Sequence, residues 1–337
     1  MVNYNRTLNT PTFICFIDIK SAFDRISYNK LFRGLLRRGV NSLLVSFLKN
    51  WYVNQRLFIR WGNATSFEFF MSNGIRQGSI LSPYLFNVYV DELNLLLSNA
   101  GVGCHIAGKT MNNFSYADDL ALIAPTASSL NVLLGICDKF AEENYIKFNT
   151  TKSVCMCVLP QRSTIEKLPN VYLSGNVLAY VNSFKYLGHI ICRDFTDDED
   201  IRREIRGFCM RGNLIVRKYK FCSVKVRCFL FKTFCYSIYG ATLWSRCSNA
   251  TMQKLKVCYN KVFRMLLGYP PWHSARRMFV SQSVRSFDEL QRYNCYNLKM
   301  RVDKSQNILL RTVVRSDAFV IPNITDRWNS LLYIHLR

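Results

Sequence analysis

The stretch Phe114-Ser115-Tyr116-Ala117-Asp118-Asp119-Leu120-Ala121-Leu122-Ile123-Ala124 sets two adjacent carboxylates between apolar flanks. Aromatic and branched residues on either side of a short polar centre predict two short strands between Met111 and Ala124, turning at Ala117-Asp118-Asp119. If that hairpin is buried, the two acids cost stability, because unpaired buried charge is expensive. The plainer alternative is a solvated turn carrying two acids. An isolated Asp-Asp pair does not choose between them.

A third acid bears on the choice. Thr12 to Ile19 (TFICFIDI) is a β-branched, aromatic run of strand length that ends near Asp18. Phosphoryl transfer from a nucleoside triphosphate uses two divalent ions held roughly 3.5–4 Å apart. Carboxylate oxygens are the hard ligands such ions prefer, and acids crowd together where metal charge offsets their repulsion. Asp197, Asp198, Glu199 and Asp200 form a contrast: they precede a helical pattern and read as partners of a positive helix N-terminus and of solvent.

The rest of the chain divides by charge. Residues 1–200 hold 19 Lys/Arg and 16 Asp/Glu, whereas residues 201–337 hold 26 and 6. Such an asymmetry favours a polyanionic partner, since phosphates gain most from dense cationic surface. A hydrophobic content of 49% over 337 residues supports a true core and argues against wholesale disorder. The thirteen cysteines follow no framework, contain no C-x-x-C pair, and stand among four scattered histidines. That pattern speaks against a zinc finger and fits buried thiols in a reducing, intracellular setting, nucleus or cytoplasm. MVNYNRTLNT lacks the apolar run of a signal peptide. Cys228 to Trp244, the most apolar segment, is interrupted by Lys232 and reads as a core helix, so no membrane partner is expected.

Between the acids, helical patterns cover Tyr28 to Arg38 and Asn41 to Tyr52. A hairpin is predicted around Gly62-Asn63, and a Gly-rich loop, Asn73 to Ser79, precedes a helix from Pro83 to Ser98. Ser128 to Asn144 is helical by apolar spacing, with short strands at Ser153 to Val158, Val171 to Tyr180 and Phe184 to Cys192. Four helices with basic faces follow, near Asp198–Lys220, Val224–Trp244, Thr251–Leu267 and Phe287–Leu310. The chain therefore reads as α+β: a mixed region over residues 1–195 and a basic helical region over residues 196–337.

Five motifs in order carry a resemblance. Phe16-Ile17-Asp18-Ile19-Lys20-Ser21-Ala22-Phe23-Asp24 resembles the first catalytic motif of reverse transcriptases of the non-LTR retrotransposon type. Asn73-Gly74-Ile75-Arg76-Gln77-Gly78-Ser79-Ile80-Leu81-Ser82-Pro83 resembles their second motif and Tyr116-Ala117-Asp118-Asp119 their metal-binding third. Lys152 with the following strand is a looser match to the fourth, and Phe184-Lys185-Tyr186-Leu187-Gly188-His189 resembles the fifth, the primer grip. The resemblance implies a polymerase palm, an antiparallel sheet backed by helices, followed by a basic all-helical thumb.

It further implies that Asp18 and Asp118 ligate two magnesium ions, with manganese as a substitute, helped by the Ile19 carbonyl, while Asp119 supports the site. Phe23 would act as a steric gate against the ribose 2′-hydroxyl; core packing is its alternative. Gln77 and Gly78 would contact the incoming dNTP and templating pair, and Lys152 would assist proton delivery to pyrophosphate. Tyr186, Leu187 and Gly188 would hold the primer end, or form a plain hairpin. Asp24 reads as a cap for the following helix. Arg202, Arg203, Arg206, Arg211, Arg217, Lys218 and Lys220 would track the RNA template and DNA primer by phosphate contacts, with a solvated helix face as the alternative.

The family carries fingers of roughly a hundred residues or more before the first motif, which this sequence lacks. The expectation for this polypeptide alone is little or no polymerase activity, because nucleotide would be poorly positioned. The alternative is an inactive nucleic-acid-binding remnant.

Overall fold

The computed structural model describes residues 1–160, 167–320 and 324–332. The chain folds as two units, Met1–Val181 and Asn182–Arg337. In chain order the first opens with helix α1 (Val2–Thr7), strand β1 (Thr12–Asp18) and helices α2 (Tyr28–Arg37) and α3 (Ser42–Val53). Four two-residue strands follow, β2 (Arg56–Leu57), β3 (Arg60–Trp61), β4 (Ala64–Thr65) and β5 (Phe69–Phe70), then helix α4 (Ser82–Asn99). Strands β6 (Cys104–Ile106), β7 (Lys109–Met111), β8 (Asn113–Tyr116) and β9 (Asp119–Ala124) lead into helix α5 (Ala127–Glu143). Strands β10 (Val154–Val158), β11 (Tyr172–Leu173), β12 (Asn176–Val177) and β13 (Ala179–Tyr180) complete it.

The sheet that positions the acids has the order β13-β10-β1-β9-β8. β1 is its middle strand and is buried on both faces up to Asp18, which is why its sequence is a continuous apolar run and not an alternation. Phe13, Cys15 and Ile17 of β1 and Leu120, Leu122 and Ala124 of β9 enter one core with Phe86 and Leu93 of α4 and Leu130, Leu134 and Cys137 of α5. Pairing is antiparallel throughout except between β10 and β13, which run parallel. The expected wholly antiparallel sheet is corrected there: the β11–β12 hairpin intervenes and lets β13 return in the same direction.

The second unit begins with the two-stranded ribbon β14 (Ser183–Tyr186) and β15 (His189–Cys192), so a hairpin expected with the mixed region groups with the helices. Helices α6 (Asp198–Lys218), α7 (Val224–Cys235), α8 (Asn249–Leu267), α9 (Ala275–Ser281), α10 (Phe287–Asp303), α11 (Ile308–Val314), α12 (Asp317–Val320) and α13 (Ile324–Leu332) follow. Its core is aromatic, with Phe208, Phe231, Tyr259, Phe263 and Phe279 in mutual ring contact. Gly212 of α6 makes that packing possible, since a Cβ there would lie 2.4 Å from a Val262 methyl on α8.

α7 stops at Cys235, well short of the Trp244 expected from sequence. The chain breaks at Gly240, whose φ of 89° is left-handed and whose Cβ, if present, would lie 2.7 Å from His189 Nδ1. The stretch that follows α7, Tyr236 to Gly240, is non-helical and ends in a residue of poor helix propensity. Among the described residues no helix is long and apolar enough to cross a membrane.

Candidate active site

Asp18 ends β1 with its backbone fixed from one side. Its N–H donates to Ser153 Oγ at 3.0 Å and its carbonyl accepts from the Asn149 N–H at 2.8 Å. Both groups point toward the 149–153 turn, so on the opposite edge Asp18 meets its register partner Asp119 without backbone bonds. A non-hydrogen-bonded antiparallel pair brings the two Cα atoms to about 4.5 Å, nearer than in a hydrogen-bonded pair. The next residue faces the other way. Ile19 bridges Phe148 between the Asn149-to-Asp18 bond and a Lys20 N–H to Lys147 carbonyl bond of 2.8 Å. The Ile19 carbonyl is thereby directed to the edge on which Asp119 lies.

Asp118 comes from the turn that joins β8 to β9. Tyr116 pairs with Asp119, leaving Ala117 and Asp118 as a two-residue connection. Ala117 holds a left-handed φ of 52°, a conformation that costs a non-glycine residue about 1–2 kcal/mol. The hairpin tip is not buried, which corrects one of the two alternatives open from the sequence: Asp118 and Asp119 are exposed. The Asp119 carboxyl is nonetheless held above the usual carboxylate range, first by partial burial and then by the charges of Asp118 and Asp18. The carboxylates of Asp118 and Asp18 thus stand near enough to Asp119 for their charges to act on it.

Among the described residues no three His, Cys, Asp or Glu side chains close into a set that would hold a metal ion alone. The donor chemistry still fits a divalent ion. Magnesium keeps several waters and is bound through one or two carboxylates together with substrate phosphates, not in an all-protein cage.

The loop after β1 is stitched to the Gly-rich loop. The Ile75 N–H donates to the Phe23 carbonyl and the Gly74 N–H to the Ile26 carbonyl, each at 2.8 Å. Gly74 has a φ of 86°, and a Cβ there would lie 2.9 Å from the Asp24 carbonyl oxygen. Glycine is needed for the approach as well as for the turn. Phe23 is half-buried and stacks on Phe86 with ring centroids 5.2 Å apart. Asp24 is exposed and does not cap α2, whose N-cap is Ser27 without a side-chain bond, so the capping expectation is corrected.

Gln77 and Gly78 are exposed in a turn closed by the Ser79 N–H on the Arg76 carbonyl at 3.4 Å. Lys152 is exposed in the same 149–153 turn that fixes the Asp18 backbone. Asn149 and Ser153 went unnoticed in the sequence, because nothing local distinguishes two polar residues beside a strand.

In the second unit, Tyr186-Leu187-Gly188-His189 forms a tight turn with φ of 48° at Leu187 and 79° at Gly188. Along α6 and just beyond its end, Arg202, Arg206, Arg217, Lys218 and Lys220 are exposed. Arg203 and Arg211 are committed inward. Arg203 Nε lies 2.7 Å from Asp200 Oδ1, and Arg211 donates to the buried Glu204 carboxylate at 2.6 Å. Asp200 itself is wholly buried, which corrects its reading as a solvent-facing acid.

The family pattern described as "Reverse transcriptase (RNA-dependent DNA polymerase)" matches residues 2–191, and the chain belongs to that family. It is 22% identical over 309 residues to the RNA-directed DNA polymerase from mobile element jockey of Drosophila funebris, covering 88% of this chain and 33% of that one. It is 29% identical over 182 residues to the retrovirus-related Pol polyprotein from type-1 retrotransposable element R2 of Popillia japonica, covering 51% of this chain and 25% of that one. The chain thus spans a quarter to a third of these relatives. Among solved structures it is similar to telomerase from Candida tropicalis, at 13% identity and a TM-score of 0.45 over 99% of this chain and 48% of that one.

Proposed function

We infer that the chain carries the catalytic core of an RNA-directed DNA polymerase of a non-LTR retrotransposon, adding dNTPs to a DNA primer on an RNA template. The first unit serves as palm and the helical second unit as thumb. One observation carries the reading: Asp18 stands opposite Asp119, with Asp118 in the adjoining turn, in a chain of the reverse transcriptase family.

Asp18, Asp118 and the Ile19 carbonyl would hold two divalent ions, magnesium or manganese, while Asp119 supports the cluster. Bound there, the ions would activate the primer hydroxyl and neutralise the departing pyrophosphate. Ser153 and Asn149 fix the Asp18 backbone, so the carboxylate is presented from a rigid strand end. Phe23, braced by Phe86, would close the space beside the sugar. Gln77 and Gly78 would meet the incoming nucleotide and Lys152 the leaving phosphate. Leu187 and Gly188 would hold the primer terminus. Arg202, Arg206, Arg217, Lys218 and Lys220 would contact phosphates without reading sequence.

The test is primer extension by the full chain with Mg²⁺, dNTPs and an RNA template, beside Asp18→Ala and Asp118→Ala. Extension lost in both variants while duplex binding persists supports the polymerase. Duplex binding that persists with no extension in any form supports the second reading, a nucleic-acid-binding remnant, which the basic excess of residues 201–337 favours.

A further inference from the structure

The ribbon β14–β15 belongs to no larger sheet. Two strands alone are marginally stable in water, and this ribbon turns through Leu187 at a left-handed φ of 48°. Something outside the ribbon must therefore hold it, and two anchors do.

The first is Tyr239. Its hydroxyl donates to the Leu187 carbonyl at 2.7 Å, across the tip of the turn. Its ring covers the second turn residue, since a Cβ on Gly188 would lie 3.3 Å from a Tyr239 ring carbon. The second is Asp200, at the start of α6. Oδ1 accepts from the Ile190 N–H at 2.9 Å and from Arg203 Nε at 2.7 Å. Oδ2 accepts from Trp244 Nε1 at 2.8 Å and lies 2.8 Å from His189 Nδ1, an ion-pair distance at which the ring N–H is not well aimed. Gly240 lets the chain between Tyr239 and Trp244 close over both, with room for His189 and Asp200 only because it has no Cβ.

We propose that Tyr239 and Asp200 are positioning residues for the Leu187-Gly188 turn, setting where that turn meets the 3′ end of a primer strand. This rests on the reading of the turn as a primer contact. The break in the helix after Cys235 acquires a purpose: it delivers Tyr239 to the tip of the ribbon and Trp244 to the carboxylate at its base. Tyr239 is 54% exposed, so removing its hydroxyl spares the core and probes position alone.

The experiment uses the full chain with an RNA/DNA template-primer whose 3′-terminal primer base is 4-thiothymidine. Cross-links to the peptide containing residues 186–189 are quantified by mass spectrometry. Tyr239→Phe removes one hydrogen bond, and the cross-link should fall about two- to tenfold. Melting temperature and overall duplex affinity should not change. Asp200→Asn, which keeps an acceptor for the Ile190 N–H, should lower the cross-link less than Asp200→Ala. If the unmodified chain gives no cross-link at 186–189, the primer reading fails. A normal cross-link in Tyr239→Phe, or one that falls only in step with duplex affinity, overturns the positioning proposal and leaves the primer reading standing.

Discussion

Asp18 and Asp119 oppose one another across the β1–β9 ladder, with the backbone groups of Asp18 turned away to Ser153 and Asn149. Like charges directly opposed destabilise a sheet, and the fold keeps them. Asp119→Asn should raise the melting temperature in EDTA and abolish extension. Divalent ions should raise the melting temperature of the unmodified chain and leave the variant less affected. A variant less stable than the parent in EDTA would show that repulsion from Asp18 and Asp118, which adds to burial in raising the Asp119 pKa, does not destabilise the fold.

The pH dependence has opposite signs at Asp119 and Asp200. The native pKa of Asp119 is raised, so the folded chain takes that proton first. Its contribution to stability therefore grows as pH falls from neutral toward about 4. Burial alone would raise the pKa of Asp200, but the nearby His189 ring and the hydrogen bonds from Arg203, Ile190 and Trp244 together hold it below the usual range. Its contribution is complete above about pH 4 and is lost as pH falls further. Urea melts across this range should show Asp119→Asn flattening the upper limb and Asp200→Asn the lower one.

Gly74→Ala should cost about 1–3 kcal/mol, because its Cβ would meet the backbone of Asp24, which has no flexible end to move aside. Gly78 shares the left-handed φ, at 82°, but faces open space, so Gly78→Ala should cost about 1 kcal/mol. Chemical denaturation of both variants checks the difference, and equal losses would refute the close approach.

Phe23→Val should cost about 1–2 kcal/mol by removing the stack on Phe86. Used as a gate, it should also raise ribonucleotide over deoxyribonucleotide incorporation in primer extension. A loss of stability with unchanged sugar selectivity would leave Phe23 as packing alone.

The basic residues on and just after α6 should separate into two groups. Arg203→Ala strips a partner from the buried carboxylates of Asp200 and Glu204 and should cost about 3 kcal/mol or more. Removing Arg217, Lys218 or Lys220 should leave stability alone and flatten the slope of log K against log salt by about one unit for each phosphate no longer neutralised. Filter binding over a salt series, beside thermal melts, distinguishes them.

What the sequence made legible was local. β1 showed itself as an apolar run, the β8–β9 turn as two acids between strands, and α5 by its spacing. The pairing of residue 18 with residue 119 followed only from the family resemblance. The sequence did not reveal α1, which has neither a capping side chain nor an acidic first turn. Nor did it reveal β6 and β7, each three residues long. Tyr236 to Trp244 continues the apolar pattern of α7, but the helix has already ended at Cys235, and Gly240 turns the chain close against His189 and Asp200. Asp200 reads like its acidic neighbours until Trp244, Arg203 and Ile190 are brought around it.

The family match ends at residue 191, inside β15, while the first unit ends at Val181. The inherited pattern and the folded body therefore have different borders. An expression fragment cut where the match stops would carry the ribbon away from Asp200 and Tyr239 and leave it unanchored. Chimeras between related elements should be joined between residues 181 and 182, so that the ribbon travels with the helices that hold it.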